Sequence, residues 1–174
     1  MLTNKTLSVK KFLLLTFSVI VVAAVVAHSA WIAVAPNWSF VVVIDKSAYK
    51  LGESVQITVS LRNLGFIPHS FTSSCSDPIA VSVSHVYEKD PSIWAQVWYS
   101  SYYDSQTEFT IGPHQSLERT FVWNQTNIYH PQEKIDKGTY LIEALIPSAG
   151  SFTQPVRVDN AFFWDSIRIN ITAT

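Results

Sequence analysis

Cysteine and histidine are the side chains of this sequence that could bind a transition metal. The candidate ligands are Cys75, His69, His85 and His114. Copper sites in small β-proteins use such residues, but the ligands must cluster, usually with histidine and methionine close behind the cysteine. Here the only methionine is Met1, and no histidine follows Cys75 within several residues. The spacing therefore predicts no metal site and no cofactor.

The residue types of hydrolytic catalysis are present, but the pattern that activates them is missing. A serine nucleophile needs a general base within hydrogen-bonding reach, and many hydrolases hold it in a Gly-x-Ser-x-Gly turn. The sequence contains no turn of that kind. We therefore expect no catalytic residues and a protein that is not an enzyme.

The densest aromatic stretch is the best candidate for a contact surface. Trp94 and Trp98 share the same parity in an extended strand, so we expect both to pack inward. The tyrosines that follow lie among serines, and tyrosine is well suited to interfaces because its ring is apolar and its hydroxyl polar. We expect a contact patch for another envelope protein or a glycan at Tyr99, Tyr102 and Tyr103.

Asn-x-Ser/Thr sequons mark possible glycosylation sites. Asn4 heads one of them, but it would be cytoplasmic or removed. The remaining candidates, which a domain outside the cytoplasm could present to a glycosylation enzyme, are Asn37, Asn124 and Asn170.

Charge and cysteine content narrow the partners and the source of stability. The formal net charge is −1, and no run of lysine or arginine follows Lys11. Nothing would neutralise a row of phosphates, so we expect no nucleic-acid partner. A single cysteine excludes an internal disulfide, so a hydrophobic core must stabilise the fold.

The elements that position these residues begin with an apolar N-terminal segment. From Phe12 to Ile44 there is no Asp, Glu, Lys or Arg. Residues 12–35 can cross a bilayer, because ~24 helical residues at ~1.5 Å each give ~36 Å against a hydrocarbon core of ~30 Å. Trp31 and Trp38 fall where an outer aromatic belt would lie. The segment predicts one transmembrane helix.

The flanking charges predict the orientation of that helix. Lys5, Lys10 and Lys11 precede the apolar segment, so the positive-inside rule puts residues 1–11 in the cytoplasm. Residues 38–174 would then form an extracytoplasmic domain of a single-pass protein in the cell membrane.

A cleaved signal peptide is the competing interpretation of the same segment. Small residues at Val25 and Ala27 would precede a cut before His28. The mature protein would then be secreted rather than anchored. Both interpretations export the domain.

Beyond Pro36 the apolar residues alternate, as in half-buried strands. Val55, Ile57, Val59 and Leu61 form one face of the clearest example, and we expect that face to be the core side. Seven to nine strands predict an all-β, immunoglobulin-like two-sheet β-sandwich. The expected strands are 38–44, 54–63, 78–87, 93–99, 106–111, 116–123, 140–146 and 167–171, with a polar loop at 124–137.

Short motifs in residues 45–146 resemble prokaryotic surface immunoglobulin-like modules. A Tyr-x-x-Gly-Glu turn at 49–53 precedes a strand that ends in Arg62-Asn63. Gly112-Pro113, the Trp-Asn-Gln of 123–125 and the Gly-x-Tyr of 138–140 follow in order. This order is similar to the intracellular proteinase inhibitor (BsuPI-type) domain family, in which His114 would usually be glycine. The resemblance implies a sandwich fold and carries no inhibitory residue to this chain.

Four functional hypotheses follow. The first is a non-enzymatic, membrane-anchored module, held through residues 12–35, that binds or positions another envelope component. The second is a secreted filament subunit in which an apolar tail, freed by cleavage near Ala27, completes the sandwich of a neighbouring copy by strand donation. The third is a proteinase inhibitor, and the fourth is an accessory subunit of a membrane redox complex.

Overall fold

The N-terminal segment forms one long helix, α1 (Thr3–Val34). The computed structural model describes residues 3–34, 37–90, 94–100, 105–148, 151–155, 157–158 and 161–173. The part of α1 from Lys11 to Ala30 is long and apolar enough to cross a membrane, and 0% of it is buried against the rest of the protein. The hydroxyls of Thr16 and Ser18 each donate to the carbonyl four residues earlier, at 2.9 Å. The helix therefore satisfies these two polar groups itself, as a lipid environment would require.

The rest of the described chain is β-structure. The strands are β1 (Trp38–Ile44), β2 (Ala48–Lys50), β3 (Val55–Asn63), β4 (His69–Ser73), β5 (Ala80–Val86), β6 (Trp94–Tyr99), β7 (Thr107–Ile111), β8 (Ser116–Trp123), β9 (Gly138–Leu145), β10 (Pro147–Ser148), β11 (Ser151–Pro155), β12 (Arg157–Val158), β13 (Ala161–Phe162) and β14 (Trp164–Thr172).

These strands form two main sheets. One has the order β1-β3-β8, and the other has the order β2-β14-β9-β5-β6. β4 and β7 form a separate antiparallel pair; β4 follows β3 and β7 precedes β8 along the chain. Two small antiparallel pairs, β10-β11 and β12-β13, lie between β9 and β14 in the sequence. The protein is thus an all-β sandwich preceded by one apolar helix.

The core lies between the two sheets. The predicted core face of β3 is correct, since Val55, Ile57, Val59 and Leu61 are each 0% exposed. Trp123 of β8 meets Tyr140 of β9, in the five-stranded sheet, across the core, with ring centroids 5.3 Å apart. The buried side chains of that second sheet include Val81, Val83, Ile142, Ala144, Ile169 and Ile171.

The chain changes sheets between β1 and β2. β1 pairs with β3, whereas β2 pairs in parallel with β14 of the other sheet. The crossing is held by Tyr49, whose hydroxyl donates to Asp45 Oδ1 at 2.5 Å. Burial, together with that hydrogen bond, raises the pKa of Tyr49 to about 12. An ion pair between Lys46 and Glu53 closes the turn from the solvent side.

The gap between β1 and β14 is closed by a carboxylate. The N–H of Val42, on the edge of β1 that faces away from β3, donates to Asp165 Oδ2 at 2.8 Å. The other oxygen of Asp165 accepts from the N–H of Ser166 at 2.8 Å. One side chain therefore joins the two sheets where no strand-to-strand ladder links β1 and β14 among the described residues.

Some sequence expectations were wrong in detail. The described residues contain fourteen strand segments, and β2, β4 and β10 to β13 were not expected, because they are short and show little alternation. Trp38 does not lie in an aromatic belt: its ring packs inside the domain, edge to face with Phe163 at 5.3 Å and with His69 at 5.5 Å. Trp31 lies in the helix, where the structure does not describe its side chain.

Candidate functional site

The outer face of the five-stranded sheet carries a row of four polar and aromatic side chains. Ser82 of β5 lies opposite Tyr99 of β6 on one side and Glu143 of β9 on the other. Glu143 lies in turn opposite Ser166 of β14. Val81 and Val83, on either side of Ser82, point into the core, so the row points away from it. We call Tyr99, Ser82, Glu143 and Ser166 the outer-face row.

Glu143 is the one carboxyl group of this row, and it is half-buried. Burial raises the pKa of its carboxyl, while a hydrogen bond from the indole of Trp164 opposes that rise. Trp164 begins β14 and leaves 48% of its surface exposed. A carboxyl group beside an exposed indole and two serines is thus presented on the surface rather than buried in the core.

A loop extends the row beyond the edge of the sheet. Ile128 donates its N–H to the carbonyl of Val97 at 2.8 Å, which attaches the 124–137 loop to edge strand β6. Tyr129 follows, and its hydroxyl donates to Gln96 Oε1 at 3.0 Å. Its ring lies 6.4 Å from that of Tyr99 and is 56% exposed. Tyr129 therefore adds a second tyrosine to the row.

These groups suit binding more than bond cleavage. Aromatic rings can stack on the apolar faces of sugars or pack against a protein, and the hydroxyl and carboxyl groups can hydrogen-bond to polar ligands. Glycoside hydrolysis needs two carboxyl groups flanking the scissile bond. The outer-face row contains one, Glu143.

The structure places only part of the predicted tyrosine patch. Tyr99 is on the outer face and half-buried, whereas Tyr102 and Tyr103 lie outside the described residues, so the contact patch stays a prediction. A bulge in β6 shifts the register after Val83, so Trp98 lies opposite Val83 and packs against the core. Trp98 therefore packs inward, as expected, and the same expectation for Trp94 stays a prediction. The side chain of Trp94 is outside the described part.

Sequence reasoning missed Glu143, Trp164 and Tyr129. A signal for Glu143 was available, because it is the one charged residue of a strand that is otherwise mainly apolar. Trp164 and Tyr129 gave no such signal, since their proximity to Glu143 and Tyr99 depends on strand order and on the path of the 124–137 loop.

The motif residues that resemble a known family have structural roles. Gln125 is buried and bridges to the turn between β2 and β3: its Oε1 accepts from the N–H of Gly52 at 2.7 Å, and its Nε2 donates to the carbonyl of Lys50 at 2.9 Å. Asn124 accepts a hydrogen bond from Ser54 beside it at 2.8 Å. The Tyr-x-x-Gly-Glu and Trp-Asn-Gln motifs therefore contact each other and together fix the turn between β2 and β3.

Two further motif residues also serve the backbone. Gly138 has φ 153°, and a Cβ atom there would come within 2.7 Å of His85 Nε2, so a larger residue would force that ring to move. His114 adopts φ 56°, a left-handed conformation that favours glycine. The ring of His114 packs edge-on against Phe66 at 5.1 Å.

The sequon asparagines are exposed. Asn37 precedes β1, Asn124 follows β8, and Asn170 lies in β14. Asn170 accepts a hydrogen bond from Thr139 at 3.0 Å through its side-chain oxygen. Glycosylation of all three stays a prediction.

The structure separates the residues that a metal site would need. Cys75 is fully buried, and its N–H donates to Ser73 Oγ at 3.2 Å. The three histidines pack against different aromatic partners: His69 against Trp38, His85 against Tyr140 and His114 against Phe66. Among the described residues no group of three or more His, Cys, Asp and Glu side chains could hold a metal ion.

The fold therefore defines a class, the immunoglobulin-like two-sheet β-sandwich, here preceded by an apolar helix. No protein-family model matches the chain, and no curated protein sequence matches it. The resemblance to the proteinase inhibitor family thus gains no support from those comparisons.

Solved structures align with this chain at low identity and with TM-scores below 0.5. A β-glucosidase of Erythrobacter marinus is 10% identical, with a TM-score of 0.46 over 79% of this chain and 16% of the enzyme. A β-glucosidase of Listeria innocua is 14% identical, with a TM-score of 0.46 over 80% and 16%. The CARDB domain of the PF1109 protein of Pyrococcus furiosus, in complex with di-metal ions, is 14% identical, with a TM-score of 0.44 over 80% and 96%. This chain spans only about a sixth of each glucosidase, and no activity or ligand is inferred from these likenesses.

Proposed function

We propose that this protein is a non-enzymatic module that α1 anchors in the cell membrane. Its sandwich lies outside the cytoplasm and binds another envelope component, a protein or a glycan, through the outer-face row and Tyr129. The observation that carries the proposal is the complete exposure of the apolar part of α1, Lys11–Ala30, beside a sandwich with a closed core of its own. A lipid bilayer is the medium that such a helix needs.

The pairing of β1 favours an anchored module over a strand-donating filament subunit. β1 pairs along its whole length with β3 of the same chain, from Trp38 opposite Asn63 to Ile44 opposite Ile57. Strand donation would require a neighbour's segment in that position or at another edge. The sequence of the mature N-terminus tests this point directly: an intact Met1 or a start in residues 2–11 supports the anchor, and a start near His28 supports the filament.

Site-specific photocrosslinking in intact cells tests the binding surface. A photoreactive amino acid in place of Tyr129 should give a crosslinked adduct, which protease or glycosidase treatment then identifies as protein or glycan. Val122 provides the matched control, because it is 54% exposed, close to the 56% of Tyr129, and lies on the other sheet. Adducts of equal yield at both positions, or none at Tyr129, would contradict the assignment of this face.

A further inference from the structure

A second apolar feature lies beside the start of the sandwich. The segment from Leu64 to Pro68 joins β3 to β4 and contains Leu, Gly, Phe, Ile and Pro, with no polar side chain. Phe66 is 65% exposed and Leu64 is 36% exposed. We call residues 64–68 the apolar loop. Such exposed apolar side chains at one point of a surface indicate contact with an apolar environment.

The apolar loop is held in shape by a buried asparagine. Asn63 is fully buried, its Oδ1 accepts from the N–H of Gly65 at 2.9 Å, and its Nδ2 donates to the carbonyl of Ile67 at 2.8 Å. The ring of Phe66 contacts His114 edge-on and otherwise faces solvent. The loop backbone is fixed at Gly65 and Ile67, on both sides of Phe66, and this holds the Phe66 side chain outward.

The apolar loop is also tied to the chain that leaves the helix. The N–H of Leu64 donates to the carbonyl of Asn37 at 2.6 Å. Asn37 follows the last helical residue, Val34, by three positions. Three Cα-to-Cα steps of ~3.8 Å allow at most about 11 Å between them. The loop must therefore lie close to the end of α1, whatever the path of the chain between.

These lengths bring the apolar loop to the level of the lipid headgroups. The span Lys11–Ala30 contains 20 residues, which at ~1.5 Å each match a hydrocarbon core of ~30 Å. Residues 31–34 add about 6 Å of helix, so Asn37 lies at most about 17 Å beyond the hydrocarbon boundary. The headgroup layer occupies ~5–7 Å of that distance. The limit of about 17 Å applies only to a straight path along the membrane normal, so any tilt of α1 or bend in the chain brings Asn37, and the loop bonded to it, closer to the headgroups.

We infer that the apolar loop inserts Leu64 and Phe66 into the outer interface of the bilayer that holds α1. This inference rests on the proposed anchoring. The occupant is lipid because the covalent path confines the loop to the membrane surface, where an aromatic and an aliphatic side chain are stabilised at the acyl boundary. The contact adds a second attachment point, which fixes the orientation of the sandwich and so directs the outer-face row.

The test uses the full chain reconstituted in phosphatidylcholine liposomes, with a photoreactive phenylalanine analogue at position 66. The matched control places the same analogue at Tyr129, which is aromatic, 56% exposed and on the loop that follows the opposite end of β8. We expect lipid adducts at position 66 to exceed those at position 129 by about fivefold or more. Both substituted side chains are exposed, so both variants should fold, and circular dichroism verifies this.

The outcomes separate the two proposals. A chain that resists alkaline extraction but gives equal lipid labelling at both positions overturns the inference and leaves the anchoring intact. A chain that is extracted at alkaline pH overturns the anchoring, and the inference falls with it. Adducts between two copies of the chain at position 66, in place of lipid adducts, would assign the loop to self-association and would also overturn it.

Discussion

Replacement of Gln125 by alanine should destabilise the sandwich, because Gln125 joins β8 to the turn between β2 and β3. The variant loses two hydrogen bonds, the one that Gly52 donates at 2.7 Å and the one that the carbonyl of Lys50 accepts at 2.9 Å. Gly52 and Lys50 are exposed, so water can replace the lost partner. Each bond then counts for about 0.5–1.5 kcal/mol, and the pair for about 1–3 kcal/mol of unfolding free energy.

Glycine at the same position provides an internal control. Gln125 has φ 55°, a left-handed conformation that costs a non-glycine residue about 1–2 kcal/mol. Glycine removes the same hydrogen bonds but relieves this strain. Its greater conformational freedom in the unfolded chain offsets about 0.4–1 kcal/mol of that gain. The glycine variant should therefore be more stable than the alanine variant by up to about 1 kcal/mol, although both remain below the unsubstituted protein.

Thermal unfolding of the full chain in detergent, followed by tryptophan fluorescence, measures both effects. For a chain of this size each kcal/mol corresponds to about 2–4 °C in Tm. Alanine should lower Tm by about 3–10 °C, and glycine by less. An alanine variant within experimental error of the unsubstituted protein would refute the role of Gln125 as a link between the two motifs. An alanine variant more stable than the glycine variant would refute the argument from backbone strain at this position.

Two more substitutions test the outer-face row and the join between the sheets. Burial raises the pKa of Glu143, so ionisation of its carboxyl opposes folding. The free energy of unfolding should therefore fall as pH rises from the ordinary glutamate pKa through the raised one. Glu143→Gln should remove that fall in urea titrations at pH 4 to pH 8. A variant with the same pH profile as the unsubstituted protein would exclude Glu143 as the source. Asp165→Ala leaves the N–H of Val42 without its carboxylate partner and should cost about 1.5–3 kcal/mol, whereas Asp165→Asn, which keeps an acceptor oxygen, should cost less. Equal losses in the two variants would argue that packing, not the hydrogen bond, holds β1 to β14.

The sequence predicted the elements that repeat a simple period. Alternation in β3 correctly identified Val55, Ile57, Val59 and Leu61 as buried, and β1 and β8 begin and end at the expected residues. Continuous apolar character correctly indicated one long helix. These features depend on local side-chain order, which sequence displays directly.

Features that depend on contacts distant in sequence were not predictable. β2 has three residues, and only its parallel pairing with β14 makes it a strand. The bulge in β6 leaves no mark such as glycine or proline in the sequence. Trp38 has the residue type and the position of a membrane-belt residue. Its ring nevertheless packs in the domain against His69 and Phe163, which are distant in the sequence. In each case the deciding partner is a residue that no local window contains.

There is a physical reason why the turn residues form recognisable sequence motifs and the residues of the outer-face row do not. The short motifs that suggest a family contain Gly52, Asn63 and Gln125, and each of these fixes a turn or satisfies backbone groups, for which few residue types have the right geometry. The outer-face row obeys a weaker constraint, because a strand position that points to solvent accepts almost any polar residue. Residues such as Glu143 therefore belong to no recognisable sequence motif, although they lie where the sandwich is proposed to bind its partner. In this sandwich the turn positions determine how the chain folds, and the specificity of the proposed binding should be sought at solvent-facing strand positions such as Glu143.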